Sequence, residues 1–157
     1  MNVSFHVNGR LHALEVGAAD RLFYVLRGEG YRGLKRGCET GECGSCTVLV
    51  NGRPAASCVM LAAQADGTEI TTIDGIGEPG HLHPVQEAFL ESGAIQCGFC
   101  TPAMVLVSLA LLRRSPDPPE DEIREALSGV LCRCTGYVKP VRAVQMAAER
   151  LRHPGPR

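Results

Sequence analysis

Eight cysteines fall into two quartets of different spacing, and thiolates grouped in this way are metal ligands. The first quartet runs Cys38-x4-Cys43-x2-Cys46-x11-Cys58; the second is Cys97-x2-Cys100 followed by Cys132-x-Cys134. No cysteine is left over. Four thiols per set suggest two four-coordinate centres in one small protein, and two such centres suggest a wire for electrons. The C-x4-C-x2-C…C order is the plant-type spacing for a [2Fe–2S] cluster. Three ligands on one tight loop must wrap a flat inorganic rhomb, so backbone has to come close. Gly41 and Gly44 remove the Cβ there and permit positive φ. Consecutive amides can then aim at sulfur, as in an anion nest. Cys58 arrives from a separate element as the fourth thiolate. Structural zinc sites more often pair two CxxC-like knuckles, so iron–sulfur is the reading of this set.

The second set is open on spacing alone. Cys97-Gly-Phe-Cys100 and Cys132-Arg-Cys134 could hold zinc on four thiolates, the lesser of two readings beside a cluster. Two details favour a cluster: Cys100 precedes the helix start Thr101-Pro102, and Cys134 precedes the last helix, so helix N-termini can face an anionic centre. A disulfide fits poorly, because Cys132 and Cys134 lie too close for an unstrained mutual bridge. The start, Met1 to Gly9, alternates as a strand and carries no basic leader, so the expected location is cytoplasmic, where thiols stay reduced. The longest apolar stretch, Ala103 to Leu112, is about half the length a bilayer-spanning helix needs, and no transmembrane segment is expected.

Other chemistry falls away. His6, His12, His81, His83 and His153 show no i,i+4 pairing, and no dinucleotide fingerprint, P-loop or nucleophile elbow occurs. Net charge is −1 with basic residues scattered, which argues against nucleic acid. The run Arg150 to Arg157 reads as a solvated end. Aromatics are 4% and tryptophan is absent, so neither half can build a large core, and inorganic centres would act as staples.

The elements that must position the thiols divide the chain in two. Val3, Phe5 and Val7 alternate up to Asn8-Gly9, and a second run reaches Val16, a hairpin with a type I′ turn. Asp20 can cap a short helix to about Arg27, with Leu22, Val25 and Leu26 inward and Gly28 and Gly30 stopping it. Thr47 to Val50 leads to a second hairpin turn, Asn51-Gly52. Cys58 opens a helical stretch to Ala65, and Glu69 to Ile73 closes a small α+β unit over residues 1–76. Residues 77–83 continue a glycine-proline linker that begins at Asp74. Residues 84–157 read as helical: Pro84 to Glu91, a helix from the cap-plus-N1 pair Thr101-Pro102 to Leu112, Glu120 to Leu127, and about Lys139 to Arg152. Val141, Val144, Met146 and Leu151 lie on the inner side of the last. Four such helices form a small bundle.

Three motifs now stand together: Gly37-Cys-Glu-Thr-Gly-Glu-Cys-Gly-Ser-Cys46-Thr-Val-Leu-Val-Asn-Gly52, Gln96-Cys-Gly-Phe-Cys-Thr-Pro102 and Leu131-Cys-Arg-Cys-Thr-Gly-Tyr137. They closely resemble the small iron–sulfur subunit of the molybdenum hydroxylases, the xanthine dehydrogenase, aldehyde oxidoreductase and carbon monoxide dehydrogenase family. The resemblance covers nearly the whole chain. It implies a β-grasp ferredoxin domain followed by a four-helix domain, each with one [2Fe–2S] cluster, and so resolves Cys97, Cys100, Cys132 and Cys134 in favour of iron. It implies an electron-transfer subunit that does not turn over substrate alone, beside a large molybdenum-pterin subunit and a medium FAD subunit. Electrons would run from molybdenum to the helical-domain cluster, then to the Cys38/Cys43/Cys46/Cys58 cluster, then to FAD. By the same resemblance Gln96 and Cys134 approach the partner's pterin; a local backbone cap is the other use for Gln96. The sequence departs from the family where Ala103 replaces the usual glycine and Val130 the usual asparagine. Val130 removes a polar side chain close to Cys132, which can alter a cluster potential. A free electron carrier or a zinc-stapled interaction module are the rival classes.

Overall fold

The computed structural model describes residues 1–153; the end of the expected solvated tail lies outside them. Strands β1 (Asn2–Val7) and β2 (Arg10–Glu15) form the first hairpin, and Asn8 and Gly9 take φ of 52° and 80°, the double left-handed geometry of a type I′ turn. Helix α1 (Leu22–Gly28) follows. Strands β3 (Thr47–Val50) and β4 (Arg53–Ala56) make the second hairpin, again over an Asn-Gly pair, Asn51-Gly52. Strand β5 (Glu69–Thr71) enters the middle, giving the order β2-β1-β5-β3-β4 with β1 and β5 parallel and the other pairs antiparallel. This mixed sheet grasps α1, as the resemblance implies. Val3, Phe5, Val7, Val48 and Ile70 pack with Leu22, Phe23 and Leu26 of α1 into one core.

Four helices complete the molecule: α2 (Pro84–Glu91), α3 (Thr101–Arg114), α4 (Glu120–Ser128) and α5 (Val138–Arg152). Helix α3 is apolar on nearly every side because it is covered on nearly every side. Its neighbours are the other helices and the open face of the sheet. Strand β3 is therefore buried on both faces. Val48 belongs to the α1 core, while Leu49, one residue on and on the opposite face, belongs to the helical core, as does Ile76. The protein is an α+β fold of three layers, with α1, the sheet and the helices in that order.

Local details differ from the sequence expectation where a competing bond wins. Asp20 does not cap α1; its carboxylate accepts the Gly17 amide at 2.7 Å, so Arg21 takes the cap position without a side-chain bond. Phe23 takes the inner place beside Leu22 and Leu26, and Val25 is only half-buried. Between Cys58 and Ala65 only Ala62–Ala65 is helical, as a single 3₁₀ turn. Strand β5 stops at Thr71 because the buried Thr72 is engaged by Asn8: its amide bonds Oδ1 and its hydroxyl takes the Nδ2 hydrogen, both at 2.9 Å. Thr101 is the first helical residue of α3 rather than its cap, a position held by Cys100. On α5, Val141 and Val144 are buried, but Leu151 is exposed, while Arg150 and Arg152 on either side of it pair with Glu91 and Asp117. Among the described residues no helix is long and apolar enough to cross a membrane.

Candidate metal centres

The four thiols of the first set come from two places. Cys38, Cys43 and Cys46 lie on the loop between α1 and β3, and Cys58 follows β4, so the open end of the hairpin β3–β4, away from its Asn51-Gly52 turn, brings Cys46 and Cys58 together. Together with Phe23, Arg36, Gly37 and Glu39 they wall one small cavity. Gly41 and Gly44 do adopt positive φ, 86° and 67°, as the wrapping loop requires. Gly37 is glycine for a different reason: a Cβ there would lie 2.6 Å from the Cys43 sulfur. Amides converge on sulfur. Cys38 Sγ accepts from Thr40 N at 3.4 Å and Cys43 N at 3.3 Å, and Cys43 Sγ accepts from Cys38 N at 3.4 Å. The Thr40 hydroxyl and the amides of Cys43 and Thr40 pull the Cys38 thiol down to about 5, so a thiolate is present at neutral pH. Cys46 and Cys58 are each only 3% exposed. Burial, then the bond to Cys46, pushes the Cys58 thiol up to about 11.

The second set joins the loop before α3 to the loop before α5. Cys100 is buried, and burial followed by its hydrogen bond with Cys132 pushes its thiol up to about 12. Burial acts upward on Cys132 too, but the Thr135 hydroxyl at 3.1 Å and the amides of Thr135 and Cys134 outweigh it and lower the thiol. Cys97 and Cys134 are exposed and hydrogen-bonded to each other, which raises Cys134. Gln96 is exposed beside them, and α3 takes no side-chain cap, so Gln96 is not its capping residue.

Within each set the thiols influence one another: Cys58 feels Cys46 and Cys38, Cys100 feels Cys132 and Cys97, and Cys134 feels Cys97 and Cys132. Among the described residues no three His, Cys, Asp or Glu side chains are grouped as the ligands of a single ion are. Four thiols per site are what the two irons of a [2Fe–2S] rhomb require, two on each iron. Amide donors on sulfur and a glycine whose Cβ the sulfur displaces fit the same group. All eight cysteines are free thiols, none in a disulfide.

The two sets meet through backbone. The Leu131 amide donates to the Cys43 carbonyl at 3.0 Å. Beside it, a Cβ on Gly44 would stand 2.0 Å from the Gly129 carbonyl oxygen. Val130 is buried in the helical core, and its carbonyl accepts the Tyr137 hydroxyl at 3.0 Å, so the valine in place of the usual asparagine acts through packing and backbone. Ala103 is likewise buried. Sequence reasoning missed Glu39, Thr135 and Tyr137. Glu39 holds φ 63°, pairs with Arg36 at 2.8 Å through one carboxylate oxygen, and buries the other without a partner among the described residues. Only their adjacency to cysteines could have singled them out.

Comparison with known proteins agrees with this arrangement. Residues 5–71 match the 2Fe-2S iron-sulfur cluster binding domain, and residues 72–145 match the [2Fe-2S] binding domain. The chain is 46% identical to the nicotinate dehydrogenase small FeS subunit of Eubacterium barkeri, over 96% of each. It superposes on a chain of quinoline 2-oxidoreductase from Pseudomonas putida 86 with a TM-score of 0.91 and 41% identity, covering 97% of this chain and 96% of that one. It also matches aldehyde oxidoreductase from Desulfovibrio gigas, with a TM-score of 0.94 and 39% identity, and there it spans 18% of the longer chain. Two [2Fe–2S] domains in this order, and relatives of near-equal length named as iron–sulfur subunits of oxidoreductases, lead to one conclusion: the chain belongs to the small iron–sulfur subunits of the molybdenum hydroxylase family.

Proposed function

We propose that this chain is the electron-transfer subunit of a cytoplasmic molybdenum hydroxylase. Cys38, Cys43, Cys46 and Cys58 hold one [2Fe–2S] cluster, and Cys97, Cys100, Cys132 and Cys134 the other. Bound there, the clusters supply one-electron chemistry, which divides the two electrons of an oxidative hydroxylation into single transfers. The chain's own part is to fix the spacing and surroundings of the two thiol sets, with residues 1–76 and 84–157 as the two units and 77–83 as the linker.

The observation that carries this reading is the bond from the Leu131 amide to the Cys43 carbonyl. One residue, Leu131, and one hydrogen bond link the backbone of a helical-set ligand, Cys132, to that of a plant-type ligand, Cys43. Direction follows from exposure together with the family resemblance. Phe99, Leu131 and Val138, 44%, 58% and 68% exposed, lie within four residues along the chain of the exposed Cys97 or Cys134. Apolar side chains collected there favour a fixed partner over a freely diffusing carrier. The large molybdenum-pterin subunit seats on that face, with Gln96 and Cys134 towards the pterin. Electrons leave at the plant-type loop towards FAD in a third subunit or another acceptor. The partner chooses the substrate. Relatives of similar identity are named for nicotinate, xanthine, aldehyde and quinoline, so a purine, an aldehyde, carbon monoxide or an N-heterocycle all fit this subunit.

The test is a pair of ligand variants in the purified complex. Wild type carries about four irons and four sulfides per chain, in two distinguishable reduced paramagnetic signals. Cys43→Ser removes the plant-type signal and spares the other, and substrate no longer reduces the flavin-side acceptor. Cys132→Ser blocks electron exit at the first step. Full turnover in both variants would refute the relay.

A further inference from the structure

Tyr137 stands at the turn into α5 with φ 66°, in the left-handed region a tyrosine rarely adopts. Its ring packs half-buried against the helical core. Its hydroxyl accepts the Cys132 amide at 2.8 Å and donates to the Val130 carbonyl at 3.0 Å. Those two groups belong to the two peptide units that flank Leu131, so one phenol pins both. The first unit also carries the Leu131 amide. A trans peptide points its N–H and C=O in opposite directions, so holding the Val130 carbonyl on Tyr137 aims the Leu131 amide at Cys43. The remaining tie is local: the Tyr137 amide donates to the Thr135 hydroxyl at 3.2 Å, and that hydroxyl is 3.1 Å from the Cys132 sulfur.

We propose that Tyr137 is a positioning residue that orients the Cys132 ligand and its amide link to the plant-type loop. The role rests on the reading of Cys132 as a cluster ligand. It has a second consequence. The Cys132 amide is spent on oxygen and so is withheld from sulfur, and hydrogen bonds to the sulfurs help set a cluster's potential. The phenol therefore keeps the helical-domain cluster at a lower potential than a free amide would allow.

Tyr137→Phe in the intact complex deletes one oxygen and leaves the ring. Redox titration followed by electron paramagnetic resonance should show the helical-domain potential raised, by at least a threefold change in its redox equilibrium, with the plant-type potential unmoved. Hydrogen exchange of the 130–132 backbone should quicken about tenfold. Unchanged potential and exchange in a variant that retains both clusters would overturn the role. If the phenylalanine variant fails to load, 3-fluorotyrosine at position 137 keeps the hydroxyl but accepts more weakly. A smaller upward shift supports the role, and an unmoved potential overturns it. A wild-type complex with only one cluster would instead sink the assignment of Cys132, and this role with it.

Discussion

Three residues show how environment divides identical thiols between two duties. Cys38 is drawn down to about 5 by donors, while Cys58 and Cys100 are pushed up to about 11 and about 12, chiefly by burial. Cys38 is therefore the ready nucleophile for the first iron, and the two buried thiols must each give up a proton on ligation. Loading of the metal-free protein with iron and sulfide should strengthen steadily between about pH 7 and pH 9, as measured by the growth of visible absorption; a flat profile would contradict it. Stability of the metal-free fold moves the other way. Both pKa values are raised above the ordinary 9.0, so the contribution is complete below that pH and is lost as pH climbs through about 11 to about 12. The two cysteine sets were legible in the sequence as candidate ligands, the first from its spacing and the second only with the motifs around it. The division of labour was not, since it depends on which amides and walls each sulfur meets.

Among elements, β3 does most to join the two halves. Its alternation sends Val48 to one core and Leu49 to the other. Leu49→Ala should destabilise by about 2–5 kcal/mol, the usual cost of a buried leucine, and denaturant unfolding should report it as a lower midpoint. The hairpins were plain from Asn8-Gly9 and Asn51-Gly52, because a two-residue turn with both φ positive leaves few other choices. The helices were plain from period and proline. Asp20 and Thr101 misled for a shared reason: a capping residue type names a possible bond, and a nearer donor or one step of helix settles whether it forms. Nothing in the strand Thr47–Val50 told which of its apolar residues faces the second half, since a strand buried on both sides reads as a plain apolar run.

At the scale of the molecule, the two halves also touch at their cysteine loops, where the Leu131 amide meets the Cys43 carbonyl. Gly44 holds φ 67° against the Gly129 carbonyl, whereas Gly52 holds φ 77° with open space around it. Alanine at Gly52 costs only the left-handed penalty, about 1–2 kcal/mol. Alanine at Gly44 adds a collision with backbone, so the loops must part. Thermal bleaching of the two clusters should coincide in wild type and in Gly52→Ala, and separate in Gly44→Ala, followed by the two paramagnetic signals during heating. Coincident bleaching in Gly44→Ala would show that the loop junction is not what couples the halves. That junction also sets a schedule. The Cys43 loop emerges early from the ribosome, yet the Leu131 amide that completes its backbone bonding is made only after three of the four helices. A contact between chain segments so distant forms late in folding, because the closure entropy of everything between them comes first. The N-terminal half can therefore collapse around α1 on its own timetable, but its ligand loop settles only at the end. Iron delivered to the nascent chain would meet a loop still unshaped, and maturation belongs after synthesis.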